Sequence, residues 1–174
     1  MSDLEKYIKT IPDFPKPGIM FRDVTSILDD ADGLRLAIDE LEKLLDGVEV
    51  DLIAGVESRG FIFGTPLAYN MKKAFIPIRK KGKLPRKTIE ESYDLEYGQA
   101  TIEIHEDAIK PGQKVVIIDD LLATGGTLDA AAKLVERLGG EVVKVVALIE
   151  LVDLKGREKL AKYEVGSIVQ YEGE

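Results

Sequence analysis

Apolar and polar residues repeat along this chain with two different periods, and the switches between them mark out its elements. Val115-Val116-Ile117-Ile118 is an unbroken β-branched run, the pattern of a strand buried on both faces. Asp51–Val56 (DLIAGV), Ala74–Arg79, Val142–Leu148 and a terminal stretch near Ile168–Tyr171 predict further strands. Between them the spacing changes. Leu34, Ile38, Leu41 and Leu45 recur at helical intervals, as do Leu128, Ala131, Val135 and Leu138 before the stop at Gly139-Gly140. Gly60–Met71 and the shorter Leu154–Leu160 complete the predicted helices, with small residues in the former for close packing. At the start, Ser2-Asp3-Leu4-Glu5 has capping-box spacing, and Leu4, Tyr7, Ile8 and Ile11 would share one helical face. Pro12, Pro15 and Pro17 are expected to forbid regular structure until Gly18.

Two stretches break the alternation of strand and helix. KKGKLPRKTIEE, from Lys80 to Glu91, is charged and aperiodic and reads as a mobile loop or hood. Tyr93–Tyr97 and Gln99–His105 alternate apolar with polar side chains, as a half-exposed hairpin would, with His105 late in an exposed strand. The order of the rest implies an α/β fold, a mostly parallel sheet with helices on both faces. With 174 residues and no linker or repeat, the expectation is a single domain over residues 1–174, the hood inserted at about 80–105.

Composition narrows the function classes. A net charge of −8 argues against a nucleic-acid or anionic-membrane partner. No cysteine and a single histidine remove disulfides, thiolate metal sites and multi-histidine metal sites. The acidic N-terminus is unlike a signal peptide and no apolar run reaches membrane-span length, so the expected location is cytoplasmic.

The chemistry gathers after the β-branched run. Asp119 and Asp120 stand at the carboxyl end of that strand, where open α/β sheets bind ligands. Neighbouring strand residues point to opposite faces, so both acids are not easily solvated there, and an unpartnered buried carboxylate costs several kcal/mol. They suit ligand hydroxyls, or a divalent ion held through water. Ala123-Thr124-Gly125-Gly126-Thr127 then turns into a helix. Alone, that turn is either a tight connection or an anion cradle of hydroxyls, N–H groups and helix dipole. Beside two acids the cradle gains ground. Neither G-x-x-x-x-G-K-[ST] nor G-x-G-x-x-G occurs, which demotes nucleotide hydrolysis and dinucleotide binding. Hydroxyl-binding acids joined to a phosphate cradle suit a phosphorylated sugar.

VVIIDDLLATGGT resembles the phosphoribosyl-pyrophosphate motif of type I phosphoribosyltransferases. PDFPKPGIMFRDVTSIL, GVESRGFIFG, RKKGKLP, YDLEYG and LKGREKL are similar to motifs of the adenine-using members, so the likeness runs from about Ile11 to Tyr171. It implies the type I phosphoribosyltransferase fold, with a flexible hood and a small N-terminal base-binding segment. It also implies Mg²⁺-dependent transfer of phosphoribose from phosphoribosyl pyrophosphate to N9 of adenine, giving AMP and pyrophosphate in purine salvage, by a homodimer. Asp119 and Asp120 would hold the ribose hydroxyls, directly or through Mg²⁺ and water, and Ala123, Thr124, Gly125, Gly126 and Thr127 would wrap the 5-phosphate. Ser58 and Arg59 would bind pyrophosphate after a cis Glu57–Ser58 peptide, with Lys83 and Tyr97 assisting. Glu96 would manage the proton at N7 of the base. Met20, Phe21, Arg22 and Leu121 would form the adenine site, with Leu151 a weaker candidate; Met20, Phe21 and Leu151 read equally as core.

Two other functions share these residues. One is transfer to a 6-oxo purine, xanthine or hypoxanthine, which offers an acceptor where adenine offers a donor. The other is a non-catalytic regulator that senses phosphoribosyl pyrophosphate, which would need a nucleic-acid surface that the acidic balance does not favour.

Overall fold

The computed structural model describes residues 2–173. In chain order it comprises strands β1 (Lys9–Pro12) and β2 (Met20–Asp23), helices α1 (Thr25–Leu28) and α2 (Ala31–Lys43), then β3 (Leu52–Val56), α3 (Arg59–Met71) and β4 (Ala74–Lys80). The second half holds β5 (Thr88–Asp94), β6 (Gln99–His105), β7 (Lys114–Leu122), α4 (Gly126–Arg137), β8 (Glu141–Leu151), α5 (Gly156–Lys159) and β9 (Val165–Tyr171). Seven strands form one sheet in the order β5-β6-β4-β3-β7-β8-β9. The run from β4 to β9 is parallel, and the β5–β6 hairpin joins β4 antiparallel.

The β-branched run sits at the centre of this sheet because apolar layers cover both of its faces. Val116 and Ile118 pack with Leu41, Ile53, Phe63 and Leu67 beneath α2 and α3. Val115 and Ile117 pack with Leu128, Ala131, Leu134 and Val135 beneath α4. The period-two alternation thus sends successive side chains into two separate cores. Asp30 caps α2, its carboxylate accepting the Asp32 and Gly33 N–H groups at 2.9 and 3.0 Å.

Four expectations need correction. The N-terminal helix is a 3₁₀ turn over Asp3–Tyr7, so Leu4 and Ile8 are buried while Ile11 lies on β1 and is 38% exposed. Pro12 does not end regular structure: it closes β1, whose partner in a separate two-stranded sheet is β2. An edge strand tolerates proline because its outward N–H is not needed. The stretch Lys80–Glu91 read as a mobile loop is loop only over 81–87: Lys80 ends β4, and Thr88–Glu91 begin β5, which pairs with β6 from Thr88–His105 to Asp94–Gln99. His105 is buried because β6 lies between two strands; its Nε2 accepts the Arg86 N–H at 3.4 Å.

The order of pairing opens a crevice. β3 pairs with β7 only as far as Gly55–Ile118, and then turns away through a cis Glu57–Ser58 peptide. β7 continues beside β8 to Leu122–Glu150. Asp119 and Asp120 therefore stand on a strand whose β3 side has been vacated. With β4 on one side of β3 and β7 on the other, this is the topological switch point of the sheet.

Candidate functional site

The crevice holds a cavity of 280 Å³ lined by Val56, Glu57, Ser58, Arg59, Lys80, Tyr93, Ile102, Asp119, Asp120 and Thr127. Beside it lies a smaller one of 70 Å³, formed by Asp119, Leu121 and the turn from Ala123 to Leu128. Asp119 and Thr127 belong to both, so the two hollows meet.

Alternation alone would send the acids to opposite faces, yet both line the larger cavity. Asp120 is 4% exposed and carries an ion pair with the Arg59 Nε. Asp119 has no such cation; its Oδ1 accepts the Asp120 N–H at 2.8 Å. Burial pushes the Asp119 carboxyl well above the usual aspartate range, and the neighbouring Asp120 charge pushes the same way. The Arg59 guanidinium is shifted upward by its bond to Asp120. One acid is thus committed to an arginine, and the other is poised to gain from a hydroxyl donor.

Close approach makes this arrangement possible. A Cβ on Gly60 would come within 3.2 Å of the Ile118 carbonyl and 3.3 Å of Asp119 Oδ1, so the first turn of α3 rests directly on the acids. Gly125 precedes α4 at φ 86°, a conformation glycine takes without steric cost, and turns the chain so that Gly126 and Thr127 open the helix. The positive end of the α4 dipole faces the smaller cavity, and Thr124 is exposed there.

Other predicted residues lie elsewhere. Lys83 is exposed in the 81–87 loop, and Glu96 and Tyr97 occupy the tip of the β5–β6 hairpin, Tyr97 being 86% exposed. None of the three lines either cavity. Met20, Phe21 and Arg22 form β2, outside both cavities. Phe21 packs edge-on against Phe14 at 5.1 Å, and Arg22 stacks 4.0 Å over the Tyr171 ring and donates to Thr10 Oγ1 at 2.7 Å. The segment reaches the site through Asp23, whose charge acts on Arg59. Leu151, at the end of β8, is partly buried against the α2–α3 core.

Three polar residues lining the larger cavity were given no site role from sequence. Tyr93 accepts the Thr127 hydroxyl at 3.0 Å and places its ring where a Cβ on Gly126 would be 3.3 Å away, which seats the hairpin over the cradle. Glu57 accepts the Lys80 N–H at 2.6 Å and faces Arg79 at 3.3 Å. Burial alone would raise Glu57, but those two donors hold its carboxyl below the usual range. Lys80 itself lines the cavity rather than the loop beyond it. An aromatic in an alternating strand carries no local sign of such a role.

A family model described as the phosphoribosyl transferase domain matches residues 23–172, from the end of β2 to the end of β9. This chain belongs to the phosphoribosyltransferase family. It is 68% identical over 173 residues to the adenine phosphoribosyltransferase of Butyrivibrio fibrisolvens, covering 99% of this chain and 96% of that one. Among solved structures, adenine phosphoribosyltransferase from Thermoanaerobacter pseudethanolicus superposes with a TM-score of 0.93 at 51% identity, covering 97% of this chain and 98% of that one. The enzyme from Saccharomyces cerevisiae, complexed with an imino-altritol bisphosphate and adenine, gives 0.89 at 39% identity, covering 95% and 96%. The seven-stranded sheet with its flanking helices is thus the type I phosphoribosyltransferase fold. Among the described residues, no helix is long and apolar enough to cross a membrane.

Proposed function

We propose that this chain, acting as one catalytic domain, transfers phosphoribose from phosphoribosyl pyrophosphate to N9 of adenine. The products are AMP and pyrophosphate. The observation that carries this is the junction of the two cavities at Asp119 and Thr127, a phosphate-sized turn opening into a polar pocket with cations. The high identity to adenine phosphoribosyltransferases over nearly the whole chain supports adenine as the base.

In this reading Ala123–Thr127 receive the 5-phosphate, and Asp119 and Asp120 accept the ribose hydroxyls. Ser58 and Arg59 face the pyrophosphate, joined by Lys83 and Tyr97 when the loop and hairpin tip fold inward. N9 attacks C1 as the C1–oxygen bond breaks, and the bonding pair leaves with pyrophosphate. Positive charge on the ribose at that point resembles other glycosyl transfers. The protein's task is to align N9 with C1 and to neutralise the leaving group. Glu96 accepts the proton that the base gives up, at N7, as N9 attacks. Met20, Phe21 and Arg22, with Leu121, hold the base, Phe21 as a wall and the neighbouring backbone as donor and acceptor. Closure of the loop and hairpin keeps water from the activated sugar.

Two carboxylates suit an ion held mainly by substrate oxygens and water, the habit of Mg²⁺; among the described residues no cluster of three or more ligating side chains exists. Asp119 and Asp120 would hold it through water, and it would supply charge neutralisation on the pyrophosphate. We place the reaction in the cytoplasm. The active form is a homodimer joined near Arg59 and the N-terminal segment: α3, which starts at Arg59, exposes Ile62 (39%) and Tyr69 (84%) on its outer side.

A purine panel with phosphoribosyl pyrophosphate and Mg²⁺, scored for pyrophosphate release, tests the assignment. Adenine should be the preferred substrate. Turnover of hypoxanthine or xanthine without adenine would replace the base assignment, and salt-sensitive nucleic-acid binding with no AMP formed would replace the enzyme by a regulator.

A further inference from the structure

We propose that Arg157 and Glu150 are positioning residues for the 5-phosphate cradle, acting through Gly156; this rests on the phosphoribosyl reading of the site. The contact that transmits the effect is backbone against backbone. A Cβ on Gly156 would come within 2.5 Å of the Ala123 carbonyl oxygen and 2.6 Å of Leu122 Cδ1. Reciprocally, a Cβ on Gly125 would lie 2.9 Å from the Gly156 carbonyl oxygen and 3.4 Å from Lys159 Cβ. The first turn of α5 is therefore the underside of the cradle, and any displacement of Gly156 displaces the Ala123–Gly125 turn.

α5 is four residues long, too short to hold its own position. Leu160, fully buried, anchors its far end. Its near end is held by Arg157, whose Nε and Nη2 reach the two oxygens of Glu150 at 2.7 and 2.8 Å. Arg157 Nη1 also donates to the Val165 carbonyl at 2.8 Å, and the Ser167 hydroxyl donates to Glu150 at 2.6 Å. The Glu150 side chain is 5% exposed and that of Arg157 43%, so the fork is a two-bond contact buried on its carboxylate side and open to solvent on its guanidinium side. Glu150 is also the β8 partner of Leu122, the residue that closes β7 before the cradle begins. A closed circuit results: Leu122, the cradle, Gly156, Arg157, Glu150 and back to Leu122. The strand pair that presents Asp119 and Asp120 thereby also sets the height of the turn beside them.

The test is steady-state kinetics with both substrates on Arg157→Lys, Arg157→Met and Gly156→Ala, together with calorimetric binding of ribose 5-phosphate. Lysine keeps the charge but not the fork, and Gly156→Ala pushes the turn while leaving the Arg157–Glu150 pair in place. Loss of one charge-assisted contact predicts about a tenfold rise in KM for phosphoribosyl pyrophosphate in Arg157→Met, smaller in Arg157→Lys. Ribose 5-phosphate affinity should fall in parallel, while KM for adenine and kcat stay within about twofold. If Arg157→Met fails to fold, Ser167→Ala removes the hydroxyl that donates to Glu150 and accepts from Arg157 Nη2 at 3.3 Å, leaves the two-bond fork itself, and should shift the same constant in the same direction. A folded variant with unchanged KM for phosphoribosyl pyrophosphate, or one in which both substrates suffer equally, overturns the brace. Inactivity of the wild-type chain with both substrates would instead defeat the functional reading.

Discussion

Replacing Asp119 by asparagine should make the free protein more stable and the enzyme far worse. Asp119 lies in the crevice with its Oδ1 on the Asp120 N–H, while the nearby cation, Arg59, is taken by Asp120. Its carboxyl is raised by burial first and by the Asp120 charge second. An acid raised in the folded state lends its full stability below the unfolded value of about 3.9 and loses it as pH climbs through the folded value. At neutral pH the wild type therefore carries a penalty that asparagine removes. Removing that charge penalty from a half-buried carboxylate is worth on the order of 1–2 kcal/mol, or roughly 2–8 °C in Tm for a chain of this size. Thermal melts from pH 4 to pH 8 should show the variant and wild type converging at the acid end and separating as pH rises. In the transition state the loss of a charged acceptor for a ribose hydroxyl costs about 1.5–3 kcal/mol, a fall of roughly 10–150-fold in kcat/KM for phosphoribosyl pyrophosphate. A variant less stable than wild type at pH 8, a gap independent of pH, or full activity would each refute this account of Asp119.

Glu96→Gln should lower kcat by about 10²-fold, the lower range for a lost general acid–base group, with a smaller change in KM for adenine; an unaltered rate would return Glu96 to an exposed turn acid. Tyr93→Ala removes the ring over Gly126 and the acceptor of the Thr127 hydroxyl, so KM for phosphoribosyl pyrophosphate should rise several-fold, measured beside a Tyr93→Phe control that keeps the ring. Glu57 is held below the usual carboxylate range by Lys80 N–H and Arg79 against its own burial. Its stabilisation is present above the ordinary value and lost as pH falls through the folded one, so the Tm advantage of wild type over Glu57→Gln should vanish in acid. Phe63, fully buried between α3 and the sheet, should cost about 3–5 kcal/mol on truncation to alanine, read from chemical denaturation.

What sequence could reveal here followed contiguity. The central strand, the two acids and the cradle are consecutive, so periodicity and residue chemistry locate them without any long-range information. β5 was hidden for the opposite reason. Thr88-Ile89-Glu90-Glu91 is an edge strand, and edges carry charge and polar groups that blur the alternation. Its strand character comes from the partner β6 and from Arg137, which reaches across from α4 to the Glu90 carbonyl at 2.6 Å and to Glu91 at 3.0 Å. Tyr93 could not be read as a lining residue because its contact, Thr127, lies 34 positions away. The buried environment of His105 has the same origin, a neighbour supplied by sheet order rather than by local sequence.

The two edges of β7 explain how the proposed site divides between the sheet core and its periphery. On the β3 side, pairing stops at Ile118 and leaves the crevice; on the β8 side it runs to Leu122, directly into the cradle and its Gly156–Arg157–Glu150 support. Every group proposed for phosphoribose thus hangs on one strand end or on the helices packed against it. Of the groups proposed for the base, Leu121 shares that strand end, but β2 belongs to a separate two-stranded sheet, and Glu96 sits at a hairpin tip beyond the cavity. Ser26 ties that small sheet to the body, its hydroxyl accepting the Lys9 N–H at 2.9 Å and donating toward the Tyr7 and Asp23 carbonyls at 2.7 Å. Peripheral elements of this kind open at lower free energy than a central strand. On the proposed assignment sugar recognition would be built into the core, and most of base recognition carried by peripheral elements. Substitutions should sort accordingly, with Asp119, Asp120, α4 and α5 acting on phosphoribosyl pyrophosphate and β2, Leu121 and Glu96 acting on adenine and on the rate.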